Sequence, residues 1–146
     1  MWIIMSCISS EENIMILNLT QHNATKDQQD AGISDLPELY KDFLKKKLTF
    51  PVQYDKEMLV SRANTIAKIV EDFIEDTIFN TGVAPEIDGV MVGGMPSFMP
   101  VLEATLVSKG IRVGYACTER QSIDKEIDGK VVKTSVFVHA GMYWAN

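Results

Sequence analysis

The side chains in this sequence that could do chemistry concentrate directly after three short apolar runs, at residues 14–19, 89–92 and 111–117. If the runs are parallel strands of an open sheet, ligands bind beyond their carboxyl ends. We therefore expect the polar segments after these runs to converge on one site. The candidates are Asn18, Thr20, Gln21, His22, Gly93, Gly94, Met95, Ser97, Thr118, Glu119, Arg120 and Ser122.

The Gly93-Gly94 pair is predicted to cradle an anion. Glycines let the backbone approach a ligand closely, and the helix predicted to follow offers free N–H groups, with Ser97 adding a hydroxyl. The segment is neither a Walker A loop nor a full G-x-G-x-x-G fingerprint, because the required residues are missing. The alternative is a tight strand-to-helix turn in which Ser97 is the N-cap.

Two histidines are present, His22 and His139. A histidine titrates near neutral pH and suits proton transfer. His22 follows the first predicted strand and His139 ends the last, so both would face one cleft if the C-terminal hairpin folds over the sheet. The alternative is that His22 lies in a surface loop and His139 only ends a strand.

Glu119 and Arg120 are adjacent after the third predicted strand. An arginine fork can hold a phosphate or carboxylate, and a glutamate can accept from a ribose hydroxyl. The alternative is a solvated ion pair that contributes little energy. Cys117, which precedes them, is predicted to be a buried, inert thiol.

The helices that must position these residues are marked by their ends. Thr25 with Gln28 is a capping box, and the short helix it starts should end at Gly32. Asp35 is predicted to cap a second helix. Asp55 is predicted to cap the longest helix, over about residues 56–79, and Gly82 is predicted to end it.

The predicted element order is β-α-α-α-β-α-β-β-β, in which Asp128-Gly129 joins strands near 121–127 and 131–138 as a hairpin. This order predicts a Rossmann-like three-layer α/β fold. Its parallel core would have three strands with helices on both faces, and the antiparallel C-terminal hairpin would lie at one edge. Residues 1–13 are predicted to be a flexible N-terminal extension, and residues 14–146 a single domain.

Composition limits the partners of the chain. The 146 residues carry a formal net charge of −6, which disfavours long nucleic acids but not a small anion bound by backbone amides. No apolar run is long enough to span a membrane. Two cysteines indicate a reducing compartment, so a cytoplasmic location is expected. No metal-ligand spacing is found, and neither a metal nor a cofactor is expected.

The segment ILNLTQHNAT (residues 16–25), followed by Gln28, resembles the start of a set of small phage- and plasmid-borne proteins. The segments VGGMP (92–96) and KTSVFVHAG (133–141) and the stretch 115–122 resemble their later parts, and the resemblance spans about residues 14–143. Some of these proteins are distantly similar to small CRISPR-ancillary, CARF-like proteins. Those have a Rossmann-like, ring-nuclease-type fold and bind cyclic oligonucleotide messengers.

The resemblance implies a protein of antiviral defence that binds a cyclic oligonucleotide and degrades it as a metal-independent ring nuclease. Because such ligands are symmetric, it also implies a homodimer with the cleft across its two-fold axis. The alternatives are a non-catalytic, nucleotide-sequestering protein and a protein-interaction module without a ligand. The implied roles are phosphate binding for Gly93, Gly94 and Arg120, proton transfer for His22, and orientation of sugar or base for Thr20, Gln21 and Ser122.

Overall fold

The computed structural model describes residues 14–146, so the predicted N-terminal extension, residues 1–13, lies outside the described part of the chain. The described part folds into five strands and four helices. In chain order they are β1 (Ile16–Asn18), α1 (Lys26–Asp30), β2 (Ile33–Asp35), α2 (Glu38–Leu48), α3 (Lys56–Thr81), β3 (Gly89–Val92), α4 (Met99–Ser108), β4 (Val113–Ile127) and β5 (Lys130–Trp144).

The strands form one sheet in the order β2-β1-β3-β4-β5. All neighbours pair in parallel except β4 and β5, which form an antiparallel hairpin. Parallel crossovers are right-handed, so the β1-α1-β2 connection and the connections that carry α2, α3 and α4 lie on opposite faces. The predicted Rossmann-like α/β fold is confirmed, and its strand order reverses between β1 and β3.

The parallel core has four strands rather than three, because β2 was not predicted. It is only three residues long and sits between Gly32, which has φ +96°, and the start of α2. Such a segment shows no periodicity, and it is a strand because it pairs with β1. The prediction that Asp35 caps α2 is therefore wrong. The N-cap is Pro37, which makes no side-chain cap bond.

Helices α2, α3 and α4 cover one face of the sheet with the main core. Its largest fully buried side chain is that of Phe98, whose ring centroid lies 4.9 Å from that of Phe50. Alternate strand residues point into this core, as expected for a sheet with period 2. The fully buried members include Leu17, Val90 and Val113 from the strands and Leu44, Ile66, Val70, Leu102 and Leu106 from the helices.

The opposite face carries a smaller apolar cluster. Buried Ile16, Ile33 and Met91 pack there with Met142 and Trp144 from the end of β5. Two glycines of the sheet make room for the Trp144 ring. A Cβ on Gly89 would lie 2.5 Å from it, and a Cβ on Gly114 would lie 2.8 Å from it.

The third polar segment is not a loop. Strand β4 pairs with β3 only through residues 113–115 but continues to Ile127, so Thr118, Glu119, Arg120 and Ser122 lie within the strand. The Asp128-Gly129 turn is confirmed, with φ +51° and +74°, but it joins strands of fifteen residues each rather than the shorter ones predicted. Cys117 is exposed, so its predicted burial is wrong.

The predicted helix ends are mostly confirmed. Thr25 and Gln28 form both hydrogen bonds of a capping box at α1, and the Asp55 side chain accepts from the Met58 N–H at the start of α3. Gly82 ends α3 with φ +77°. None of the helices within residues 14–146 combines the length and apolar character needed to cross a membrane.

Candidate functional site

A cavity of about 520 Å³ opens where the strand order reverses, at the carboxyl ends of β1 and β3. The two loops bounding it are two of the three that the sequence predicted to converge. In open α/β sheets this position is where ligands bind. The lining residues are Thr20, Gln21, His22, Asn23, Thr25, Gln28, Met91, Val92, Gly93, Gly94, Tyr115 and Ala116.

Asn18 holds the loop after β1 in shape from beneath the cavity. It is 4% exposed, and its Nδ2 donates to the His22 carbonyl at 2.7 Å and to Asp35 Oδ1 at 2.8 Å. Its Oδ1 accepts from the Thr20 N–H at 3.0 Å and from the Thr20 hydroxyl at 2.7 Å. This predicted ligand-binding residue is thus a fully bonded positioning residue, because its polar atoms are already used.

Asp35 joins the same network from the end of β2. Its Oδ1 also accepts from the Ala24 N–H at 2.9 Å, and its Oδ2 lies 3.5 Å from Lys41 Nζ. Burial alone would raise the pKa of Asp35. The hydrogen bonds from Asn18 and Ala24 and the charge of Lys41 together outweigh burial, so the pKa falls below its usual value.

We expect Asp35→Asn to lower the free energy of unfolding by about 2 kcal/mol at pH 7, as for a hydrogen bond to a charged group. Because the folded-state pKa of Asp35 is lowered, its stabilisation is present above the unfolded pKa and lost as pH falls through the folded value. The difference between wild type and variant, measured by urea unfolding, should therefore shrink between pH 7 and pH 3. A difference that stays constant over this range contradicts the assignment.

Three side-chain amides line the cavity, and part of their bonding capacity is used within the protein. Gln21 Nε2 donates to the Leu48 carbonyl at 3.0 Å, and Gln28 Oε1 accepts from the Thr25 N–H at 3.0 Å. This leaves Gln21 Oε1 as an acceptor and Gln28 Nε2 as a donor, and exposed Asn23 offers both. The cavity therefore presents neutral hydrogen-bonding groups.

Gly93 and Gly94 line the cavity from the loop after β3. A Cβ on Gly93 would lie 3.3 Å from Thr20 Cγ2, so the loops after β1 and β3 are in contact here. A helix follows this segment, as predicted, but α4 begins only at Met99, five residues after Gly94. Ser97 does not line the cavity and is not the N-cap. Its hydroxyl is 2.8 Å from the Tyr54 hydroxyl.

Met95, another predicted ligand-binding residue, packs against the main core instead of lining the cavity. Tyr115 lines the cavity from β4 and was not singled out by the sequence. Burial and the hydrogen bond it donates to Glu103 Oε1, at 2.9 Å, raise the pKa of Tyr115 to about 12. It is therefore a protonated phenol whose hydrogen is already committed.

The predicted residues on β4 and β5 are not brought into the cavity lining. Side chains alternate along a strand, so adjacent Glu119 and Arg120 point to opposite faces and cannot grip one ligand together. Arg120 Nε donates to Ser135 Oγ at 3.0 Å. The remaining members of this set are Thr118, Ser122 and His139.

His139 pairs across the hairpin with Thr118, beside a register shift between Cys117 and Thr118. Its Nδ1 is buried and, among the described residues, has no hydrogen-bond partner. The prediction that His22 and His139 face one cleft is not supported, because only His22 lines the cavity. No group of three His, Cys, Asp or Glu side chains within residues 14–146 is placed to hold a metal ion.

Sequence reasoning missed about half of the cavity lining. The capping box already made one segment distinctive in the sequence, and three of the missed residues belong to it: Asn23, Thr25 and Gln28. That segment could have been recognised as part of the cavity lining. Met91, Val92 and Ala116 carried none, because they look like any strand residues until the sheet is assembled.

No curated protein and no solved structure matches the chain. One family model matches residues 14–142, and its description is Uncharacterized protein MJ1673 family. The matched segment holds every residue of the cavity lining and all five strands except the end of β5. On the strength of this match over most of its length, the chain belongs to the MJ1673 family.

Proposed function

We propose that the cavity binds a nucleotide-type second messenger of the cyclic oligonucleotide class. The observation that supports this is its position at the β1–β3 reversal of a Rossmann-like sheet, where such folds hold nucleotides. Its volume of about 520 Å³ is in the range of small-molecule sites. An apolar floor of Met91, Val92 and Ala116 suits a base, and the amides of Gln21, Asn23 and Gln28 suit its polar edges.

The phosphates would be held by uncharged groups. No Lys, Arg, Asp or Glu belongs to the lining of this cavity. Gly93 and Gly94 have no side chains, so their backbone N–H groups can approach phosphate oxygens directly. Backbone amides recognise phosphate without the long side chains that a polyanion-binding surface uses, which is consistent with the acidic net charge of −6.

Cleavage of the bound messenger would depend on proton transfer by His22. In metal-independent ring opening, the ribose 2′-oxygen attacks the adjacent phosphorus and the 5′-oxygen leaves, so one proton is removed and one is supplied. Among the lining side chains, His22 is the one suited to either transfer near neutral pH. The predicted cation, Arg120, does not belong to the lining. This favours a second candidate, binding of the messenger without cleavage.

A thermal-shift screen tests the proposal with cyclic oligoadenylates, cyclic dinucleotides, NAD derivatives and ADP-ribose, with chromatography of every hit after incubation. A ligand at a hundred times its dissociation constant should raise Tm by about 8 °C in a chain of this size. Conversion to a linear product supports the ring nuclease. Recovery of intact ligand supports sequestration. The absence of any shift would overturn the nucleotide proposal and leave a protein-interaction module.

Three variants locate the site. Gly93→Val should abolish the shift, because its side chain would enter the space between the two loops. His22→Ala should keep the affinity within about threefold and lose product formation. Arg120→Ala should change neither measurement, and a loss of binding in that variant would mean that the hairpin contributes to the site.

A further inference from the structure

The outer part of the β4–β5 hairpin extends beyond the other strands of the sheet, because β4 pairs with β3 only through residues 113–115. We call residues 118–139 the ribbon. It contains ten cross-strand pairs, from Thr118 with His139 to Ile127 with Lys130, and is about 30 Å long. None of its residues belongs to either core cluster of the described chain. His139 Nδ1 is buried at the base of the ribbon, and most side chains farther out are exposed. A two-stranded ribbon is only marginally stable in water, so a partner surface would stabilise this one.

One side of the ribbon is the more aliphatic, because five of its ten residues are Ile or Val. Cross-strand partners point to the same side, so the register in β4 and β5 assigns every side chain to one of two faces. The aliphatic face carries Ile123, Ile127, Val132, Val136 and Val138. Ile123, Val132 and Ile127 are 42%, 44% and 48% exposed. The other face carries two exposed apolar side chains, Val131 and Phe137, among eight polar residues: Thr118, Arg120, Ser122, Asp124, Glu126, Lys133, Ser135 and His139.

We propose that two copies of this chain associate through the aliphatic faces of their ribbons, packed face to face and antiparallel. The ribbon has four acidic and four basic residues, so it is neutral within a chain of net charge −6. Two acidic bodies repel each other, and the neutral ribbon is where they can approach. A nucleic acid or an anionic membrane would need a basic excess that the ribbon lacks.

The charges on the aliphatic face select the antiparallel arrangement. Glu119 lies at the end of this face near the sheet, whereas Lys125 and Lys130 lie toward the tip. In an antiparallel pair with Ile123 facing Ile123 at the two-fold axis, Lys130 of one copy lies at the level of Glu119 of the other, and Lys125 lies one pair of this face closer to the axis, at the level of Gln121. In a parallel pair, like charges would lie at the same level and repel.

The size of the face sets the strength of the dimer. Ten residues line it on each copy, against 20 to 30 in a standard interface, so we expect a weak, concentration-dependent dimer. The two bodies would sit at opposite ends of the paired ribbons. Each cavity would then bind its ligand within one chain, unlike the shared cleft that the resemblance implies.

Sedimentation velocity of the full chain between about 5 and 500 μM tests this. The mass should rise from 16.3 kDa toward twice that value with concentration, and Ile123→Glu should remain monomeric. Val131→Glu is the matched control. Val131 is 71% exposed on the other face, so this variant should associate like wild type. A wild type that is monomeric throughout, or an Ile123→Glu variant that dimerises normally, overturns the proposal.

Charge reversal tests the arrangement without touching the aliphatic side chains, so it remains decisive if Ile123→Glu disturbs the ribbon. Glu119→Lys alone, and Lys125→Glu with Lys130→Glu, should each weaken association at least tenfold at low salt. The three changes together should restore it to within about threefold, because the opposite charges again meet. If the triple variant associates more weakly than both Glu119→Lys and the double lysine variant, the antiparallel packing is overturned.

Discussion

Asn18→Ala should lower the free energy of unfolding by about 2–3 kcal/mol and abolish binding of the proposed nucleotide ligand. The substitution removes the amide donor that the His22 carbonyl and Asp35 Oδ1 share, and it removes the acceptor of the Thr20 N–H. The Thr20 hydroxyl can still donate to the His22 carbonyl, and Asp35 Oδ1 still accepts from the Ala24 N–H. Each buried polar group that loses its partner costs about 1–3 kcal/mol, and part of this loop can recover by binding water. The loop also lines the cavity, so its loss removes one wall.

Asn23→Ala is the matched control for this substitution. Asn23 lies in the same loop and lines the same cavity, but it is exposed and takes no part in the Asn18 network. The free energy of unfolding of this variant, measured with urea, should lie within about 0.5 kcal/mol of the wild-type value. Its affinity for the proposed nucleotide ligand should change, because Asn23 lines the cavity. If both variants lose the same stability, the network does not have the role assigned to it.

Gly89→Ala should be at least as damaging, lowering the free energy of unfolding by about 3 kcal/mol. The added Cβ would lie 2.5 Å from the Trp144 ring and 2.8 Å from the Arg112 carbonyl oxygen. A rigid ring and the backbone just before β4 cannot both move aside without breaking the hydrogen bond from the Val90 N–H to the Arg112 carbonyl, which adjoins the β3–β4 pairing. Thermal denaturation should show a fall in Tm of about 10 °C.

Gly114→Ala distinguishes the clash with the Trp144 ring from the clash with the Arg112 backbone, which together destabilise the Gly89→Ala variant. Its Cβ would meet Met142 Cε and the Trp144 ring, both at 2.8 Å, and no backbone atom is among its nearest contacts. Gly114→Ala should therefore lower the free energy of unfolding by less than Gly89→Ala does. A Trp144→Leu background should rescue most of the Gly114→Ala loss and only part of the Gly89→Ala loss. Equal rescue of both would mean that the Arg112 carbonyl contributes nothing.

The position of the cavity results from the crossing connections rather than from any single motif. The first connection moves to β2, and the later ones carry the chain past β1 to β3 and β4. The loops after β1 and β3 therefore leave in opposite directions and open a cleft between them. Asn18 and Asp35 then link the loop after β1 to β2, which keeps one side of that cleft fixed.

The sequence correctly predicted that the loops after β1 and β3 converge, but it wrongly predicted a third loop after residue 117. The difference lies in the path that the chain takes beyond each strand. After β1 and β3 the chain turns into helix-forming segments, and the polar residues are close to the turn. After residue 117 the chain stays extended, because the residues up to Ile127 pair with β5. This outer part of β4 is polar and exposed, as loops are. Its composition therefore predicted a loop where the structure has a strand.

The features that the sequence determined by itself are local. The capping box of Thr25 and Gln28, the Asp55 cap, the Gly82 terminator and the Asp128-Gly129 turn each depend on residues within a few positions of one another. Their chemistry is therefore complete in the sequence. The apolar runs likewise determined β1, β3 and the start of β4, since burying them requires strands of a sheet.

Tertiary structure decided everything that depends on partners distant in sequence. Strand β2 exists because it pairs with β1, and the cavity lining by Met91, Tyr115 and Ala116 exists because β1, β3 and β4 lie side by side. The Asn18–Asp35 hydrogen bond joins residues seventeen positions apart. Contacts of this kind arise only when the sheet assembles, because no local propensity encodes which strands become neighbours.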